Sequence, residues 1–230
     1  MKKKKIKNVV FVIVAHPDDE TIAMGATIYK HIDNGDKVFG LYMTNGVGAR
    51  SNVNDKAIQE RNKAAYEASK FLGFKWLDKG DFPDNQMDTV PFLSIVKLIE
   101  KNKKLVSPNI VYTHNNTDLN IDHQIVHNAV LTAFRPQPNE RMEELRTFEV
   151  PSSTDYSTTD SKNIFIPNLF INVSNTWKKK IAALKFYNKE LRKKPHSRSI
   201  EGITNLAKIR GNQSGQLKCE AFKIIRKVIK

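Results

Sequence analysis

The chain has a single cysteine, Cys219, so no intramolecular disulfide can staple it, which fits a reducing cytoplasm. No apolar run approaches the roughly 20 residues needed to cross a bilayer, which argues against a transmembrane helix. The Lys2–Lys5 run leads straight into a strand pattern with no small-residue cleavage site behind it, a poor match to a secretory signal. There is no internal repeat, and no linker long enough to split the chain. Nor does any helix-turn-helix, zinc-finger or RNP-type pattern accompany the lysines. These are scattered (Lys2–Lys5, Lys101–Lys104, Lys178–Lys180, Lys193–Lys194, Lys223–Lys230). The net charge of +14 therefore reads as surface bias or as a preference for a phosphate-bearing partner, and nucleic acid is not expected. What remains is a chain of 230 residues with an ordinary 40% hydrophobic content, enough to bury a full core in one domain spanning 1–230.

Strand-like and helix-like stretches alternate. Val9–Val14 is apolar without polar alternation, the mark of a strand buried on both faces. Thr21–Asn34 predicts a helix stopped at Gly35, Lys37–Thr44 a second strand, and Asp55–Leu72 an amphipathic helix ending at Gly73. A short strand at Lys75–Leu77, a helix over Val90–Lys103, a buried strand at Asn109–Thr113 and a helix over Asp122–Phe134, stopped by Pro136, follow. Such pairs imply a parallel sheet with helices on both faces. From about residue 147 the order loosens. Phe148–Val150 and Phe165–Val173 read as strands around a polar loop, Ser152–Ser161. Ser174–Lys194 reads as a long basic helix and Ile200–Ile209 as a shorter one, and Ala221–Ile229 is apolar and basic without a definite type.

The first strand runs into Ala15-His-Pro-Asp-Asp-Glu20, and the carboxyl ends of strands are where open α/β sheets bind ligands. His16 and Asp19 share one turn and could bind one metal ion together. A later strand ends in Thr113-His114, and the segment from Asp118 brings Asp122 and His123 to a helix start. Two histidines and a carboxylate with an open position form the usual ligand set of catalytic zinc, which lowers the pKa of water there. Asp18, beside Asp19, is free to act as general base. Iron(II) or cobalt would suit the same set.

Blander readings stand beside these. His123 and His127 are spaced like a zincin pair, but no glutamate follows His123, and His127 reads as a hydrogen-bonded core residue. His31 near a helix end reads as structural, Cys219 as a small core residue, Trp177 and Phe186 as core, and the lysines flanking them as a solvated face. Arg50, Arg135, Arg198 and Arg210 are either ion-pair partners or guanidinium forks for carboxylate or phosphate.

Residues 15–20 resemble the signature of the PIG-L/LmbE-like family of zinc-dependent de-N-acetylases, which act on N-acetylglucosamine-type sugars. Asn120-Ile-Asp-His123 is similar to the second motif of that family. Thr44-Asn-Gly46, Arg50, Leu72-Gly73, Phe82-Pro-Asp-Asn85, Arg135-Pro136, Glu149–Thr154, Pro195–Ser199 and Arg210-Gly211 look like blocks of a bacterial branch. The resemblance implies a Rossmann-like three-layer α/β sandwich with a mostly parallel central sheet and a C-terminal helix/strand elaboration. It implies one Zn2+ per chain on His16, Asp19 and His123, Asp18 as base, and Asp122 orienting a neighbouring imidazole. Arg50, His114, Arg135 and Arg198 become substrate-binding candidates. The reaction implied is hydrolysis of the acetamide of an amino sugar or its glycoconjugate, in bacterial cytoplasmic glycan synthesis; the charge of +14 and the surplus arginines point to a phosphorylated carrier, such as a nucleotide- or lipid-linked sugar. Peripheral contact with an anionic membrane and homo-oligomerisation are compatible with it.

Three departures qualify the match. Asn120 stands where many members have histidine; it can donate to an oxyanion but cannot deliver a proton. The leaving amine would then take its proton from Asp18 after the base step, from His196, or failing that from His114. A glycine pair after the first motif is Gly25-Ala26. An arginine–glutamate pair on the second helix is reduced to Arg61, with Ala64 at the glutamate position. Rival readings are a basic glycan- or nucleic-acid-binding module that has lost catalysis, favoured by Asn120 alone, and an amidase for another N-acyl substrate.

Overall fold

The computed structural model describes residues 8–51, 53–157 and 164–229. The Lys2–Lys5 run and residues 158–161 of the Ser/Thr loop lie outside the described residues. Strand β1 (Val9–Val14) is buried along its whole length and hydrogen-bonds in parallel to β2 (Lys37–Tyr42) and β4 (Ile110–His114). The sheet has seven strands in the order β3-β2-β1-β4-β5-β7-β6, adding β3 (Lys75–Trp76), β5 (Glu144–Phe148), β6 (Leu169–Asn172) and β7 (Cys219–Lys227). Only β7 runs against its neighbours. Because β1 pairs with β2 on one side and β4 on the other, the strand order reverses between β1 and β4, opening a crevice at their carboxyl ends.

The pleat of β1 divides the core. Val10, Val12 and Val14 pack with Ile22 and Ile28 of α1 (Asp19–Asp33), Trp177 and Leu184 of α5 (Trp177–Leu184), and Ile203 of α6 (Ile200–Asn212). Phe11, Ile13 and Ala15 face the other way, against Ile95 and Ile99 of α3 (Phe92–Val106) and Val126 and Val130 of α4 (Ile121–Ala133). Helix α2 (Asp55–Leu72) starts on Asn54, whose side chain accepts from Ala57 N, and stops at Gly73 with φ 89°. The α/β sandwich and its parallel half are thus as the pattern implies. No helix among the described residues is long and apolar enough to cross a membrane.

The C-terminal third departs from expectation. The helix expected over Ser174–Lys194 ends at Leu184 and tightens into a 3-10 turn, Lys185–Tyr187. Its apolar positions keep a helical spacing, but Tyr187 and Glu190 are drawn onto side chains beside β1, and that tertiary pull overrides the pattern. Strand β5 ends at Phe148, where the expected Phe148–Val150 segment begins, and residues 221–227 of the uncertain Ala221–Ile229 segment lie in β7. Phe186 is 37% exposed rather than core, whereas Trp177 and Cys219 are buried as expected.

Lys180 corrects the solvated-face reading: it is only 2% exposed. Its Nζ lies 2.6 Å from Glu220 Oε1 and donates to Ala23 O at 3.2 Å. Glu220 accepts from Ala26 N (3.2 Å) and Thr27 N (2.7 Å). These three backbone groups flank Met24, where α1 breaks with φ −139° and ψ 23°. The buried pair therefore satisfies backbone groups beside the break. Gly25 permits the approach, since a Cβ there would meet Lys180 Cγ at 3.3 Å.

Candidate active site

The loop after β1 is built from its own carboxylates. Asp19 Oδ2 accepts from His16 N at 3.0 Å and Glu20 Oε2 from Asp18 N at 3.0 Å. These acids occupy the first turn of α1, where the helix dipole favours negative charge. Asp18 itself has φ 139°, a region that favours glycine and costs another residue about 1–3 kcal/mol. Strain held at such a place needs surroundings that enforce it.

Helix α4 brings the second half. Asn120 is its N-cap, with Oδ1 accepting from Asp122 N (2.9 Å) and His123 N (3.4 Å), while its amide donates to Asn85 Oδ1 (2.7 Å). The side chain expected to face an oxyanion is thus engaged in starting the helix that carries His123. Three atoms converge: His16 Nδ1 is 3.2 Å from Asp19 Oδ2, His123 Nε2 is 3.3 Å from the same oxygen, and the two nitrogens are 3.3 Å apart. A tetrahedral ion with bonds of about 2.0–2.1 Å needs ligand separations of about 3.3–3.4 Å. The triangle fits such an ion. Asp19 Oδ1 and Asp18 Oδ2 are buried without hydrogen-bond partners among the described residues.

Each imidazole is held from behind by a carboxylate. His16 Nε2 lies 3.2 Å from Asp122 Oδ2 and 3.3 Å from Asp84 Oδ1, and His123 Nδ1 lies 2.9 Å from Asp118 Oδ2. Two further groups could hold an ion, His16-Asp84-Asp122 and His114-Asp118-His123. In the first, Asp122 already accepts from Asn85 N (2.7 Å) and Met87 N (3.1 Å), and Asp84 from Ala49 N (3.0 Å). In the second, His114 accepts from Ala15 N through Nε2 at 2.9 Å, so its neutral ring carries its proton on the Nδ1 that faces Asp118 at 3.8 Å and offers an ion no lone pair there. Those carboxylates orient rings, as partners of metal-bound histidines do.

Electrostatics follow from burial opposed by neighbours. Burial alone would lower His16 and His123, but the surrounding carboxylates outweigh it and raise both. Asp19 goes the other way: burial would raise it, and His123 and His16 bring it well below the ordinary value. Asp18 is raised, chiefly by burial, with Arg61 and Arg198 opposing. Glu20, fully buried, is raised to about 7 by burial.

Around Asp18 the structure gathers Arg61, noted in the sequence only as half of a reduced pair, with Tyr187 and Glu190, which the sequence did not single out. Arg61 Nη2 is 3.0 Å from Asp18 Oδ1, and Arg61 Nη1 is 2.8 Å from Glu190 Oε1. Tyr187 OH donates to Glu20 Oε1 at 3.0 Å. Nothing local in the sequence connects residues 18, 61 and 187–190; the fold alone brings them together. Asp84 and Asp118 had a visible signal, as acids in loops flanked by motif-like residues.

The expected substrate-binding set divides. Arg198 reaches the site, with Nη1 3.8 Å from Asp18 Oδ2 and Nε donating to Pro151 O at 3.2 Å. Arg50 is nearby, bound to Glu190 at 2.8 Å with its side chain 47% exposed. His114 is corrected: it is fully buried, stacked on His123 with ring centroids 3.8 Å apart, and kept neutral by burial and by the His123 charge. It can neither touch substrate nor supply the amine's proton. Arg135 is corrected too, since it follows the far end of α4 and pairs with Glu100 at 3.0 Å. His196 accepts from Arg198 N through Nδ1 (3.0 Å) and meets the Tyr156 ring at 5.9 Å. His127 donates to His114 O at 2.9 Å, His31 joins Asp36 to Tyr112, and Arg210 forks onto Glu149, all structural roles.

Residues 11–134 match the protein family described as PIG-L, GlcNAc-PI de-N-acetylase. The deacetylase YaiS of Escherichia coli (strain K12), itself uncharacterized, is 26% identical over 181 residues, covering 76% of this chain and 88% of its own. The N,N'-diacetylchitobiose deacetylase of Pyrococcus horikoshii superposes with TM-score 0.75 at 20% identity, covering 95% of this chain and 84% of that one. The zinc-inhibited form of teicoplanin deacetylase Orf2 gives 0.75 at 15%, covering 96% and 100%. GalB, the 4-carboxy-2-hydroxymuconate hydratase of Pseudomonas putida KT2440, gives 0.78 at 17%, covering 97% and 98%. Two deacetylases and a hydratase share the architecture, so these likenesses speak for the fold.

Proposed function

We propose, from the premise that this chain belongs to the PIG-L family of GlcNAc-PI de-N-acetylases, that it is a metal-dependent hydrolase removing the acetyl group of an N-acetylated amino sugar or its glycoconjugate. The observation that carries the reading is the triangle of His16 Nδ1, Asp19 Oδ2 and His123 Nε2, with the Asp18 carboxylate beside it. Those three atoms would hold the ion, zinc by the donor set, with iron(II) or cobalt as alternatives. A divalent ion supplies a Lewis acid for the amide carbonyl and acidifies water.

The chain's own residues do the rest. Asp18 Oδ2, free of hydrogen-bond partners among the described residues, takes a proton from the attacking water, and burial raises its proton affinity for that task. The oxygen of that water bonds to the acetyl carbon, the C–N bond breaks, and the same carboxyl returns the proton to the amine, leaving acetate and the free amino sugar. This assignment prefers Asp18 to His196, whose Nδ1 is turned to Arg198 N. Asp122 and Asp118 keep the two rings in register. Arg198, with Arg50 further out, supplies guanidinium N–H groups for an anionic part of the substrate, which suits a nucleotide- or lipid-linked sugar. A bacterial cytoplasmic setting fits the lone Cys219, and residues 1–230 would form one unit.

Metal analysis of purified protein, followed by acetate release from N-acetylated sugars, their nucleotide- and lipid-linked forms and other N-acyl amides, tests the reading. Acetate release from the sugar group that a chelator abolishes supports it. Release only from other amides would move the substrate class, and a metal-free, inert protein would refute the reading.

A further inference from the structure

We propose that the turn after α5 is a strap that holds Asp18 in its strained position, with Tyr187 and Glu190 as positioning residues. The inference rests on the reading of Asp18 as general base. A non-glycine residue persists at φ 139° only where its surroundings over-determine it. Asp18 is held in two ways. Its side chain is fixed through Arg61, which bridges Asp18 Oδ1 at 3.0 Å and Glu190 Oε1 at 2.8 Å. Its backbone N donates to Glu20 Oε2 at 3.0 Å, and Glu20 Oε1 accepts from Tyr187 OH at 3.0 Å.

Both holds end on the same short segment, whose spacing is set by Glu190 N donating to Tyr187 O at 2.9 Å. Arg61 also lies over the Tyr187 ring, 5.5 Å from its centroid. All four supporting side chains belong to buried residues: Glu20, Arg61, Tyr187 and Glu190. Neither strap residue makes a hydrogen bond, ion pair or ring contact to His16, Asp19 or His123 among the described residues.

Glu190 also answers the departure at residue 64. The second helix carries Arg61 with alanine, not a carboxylate, three residues on, and Ala64 lines the same cavity of about 230 Å3 as Arg61 and Glu190. Residues three apart on a helix are neighbours, so a glutamate at 64 would reach Arg61 from within α2. In this chain the carboxylate comes instead from the turn after α5.

The test combines kinetics and crystallography on metal-loaded wild type, Glu190→Gln, Tyr187→Phe, and Ala64→Glu/Glu190→Gln. In each single variant kcat for acetate release should fall about 10- to 100-fold with metal content unchanged, and in Tyr187→Phe, which leaves the Arg50–Glu190 pair intact, KM should stay within about twofold. The double variant should regain about tenfold over Glu190→Gln, a rescue that general destabilisation would not produce. Crystal structures of the single variants should show Asp18 leaving positive φ or parting from Arg61. Single variants with kcat within about threefold of wild type, or with Asp18 and Arg61 unmoved, overturn the strap. Should Glu190→Gln fail to fold, Tyr187→Phe, which removes one hydroxyl, decides alone. Should wild type release no acetate, the reading of Asp18 as base fails, and the crystal structures still decide whether the strap holds the residue.

Discussion

Removing the Glu220 carboxylate should be among the most damaging single changes remote from the metal-binding atoms. Glu220 is 5% exposed and its partner Lys180 2%, with Nζ 2.6 Å from Oε1. Glu220→Ala strands a buried ammonium and leaves Ala26 N and Thr27 N without acceptors at the break in α1. Breaking a buried pair costs about 3–5 kcal/mol, and an unsatisfied buried N–H about 1–3 kcal/mol. These costs overlap, because Lys180 can shed its proton: burial already holds its pKa below the ordinary lysine value. A net loss of about 3–5 kcal/mol by urea denaturation with unchanged m is therefore expected. With its folded-state pKa below the unfolded one, Lys180 binds fewer protons in the folded protein. Stability should recover as pH rises through that lowered value, more in the variant than in wild type. Lys180→Met/Glu220→Gln keeps an acceptor for the helix and removes both charges, and should lie closer to wild type than Glu220→Ala. A Glu220→Ala loss below about 1 kcal/mol would refute the claim that this pair stabilises the broken helix.

Asp118→Asn and Asp122→Asn should each weaken metal binding about 10- to 100-fold in chelator competition, because the ring each orients loses its carboxylate. Gly40→Ala in β2 would bring a Cβ within 2.5 Å of Trp76 Cε3, and the indole is tied through Nε1 to Ala65 O at 3.0 Å. A destabilisation of about 1–3 kcal/mol in thermal melts is expected. Asp36 is lowered, with burial opposing and hydrogen bonds from His31 and Asn8 prevailing. Its stabilisation should be complete above the unfolded aspartate value and lost as pH falls through the lower folded value. The stability gap between wild type and Asp36→Asn in acid titrations should close over that range.

The parallel half of the sheet was legible because β1 and β4 are apolar and each runs directly into acids and histidines. His16, Asp19 and His123 were legible for the same reason, since each lies where a strand gives way to a helix. What could not be read depends on distance in three dimensions. Lys180 looks like one of three consecutive surface lysines until Glu220 arrives from β7. The Arg61–Glu190 contact spans most of the chain, with no periodicity to announce it. Arg135 misleads by proximity in sequence: the thirteen residues of α4 carry it roughly 20 Å from the turn that holds His123. His114 misleads differently, as a histidine at a strand end that is buried beneath His123 rather than facing the crevice.

If His16, Asp19 and His123 hold the ion while Asp18 moves the proton, removing the Asp18 charge should spare metal binding and cost the chemical step. Acetate release from N-acetylated amino sugars by wild type and by Asp18→Asn, compared at equal metal content, separates the two roles. The Asp18→Asn protein should load metal as wild type does, with kcat lowered about 10²- to 10⁴-fold. An Asp18→Asn enzyme within about threefold of wild type would contradict that division of roles.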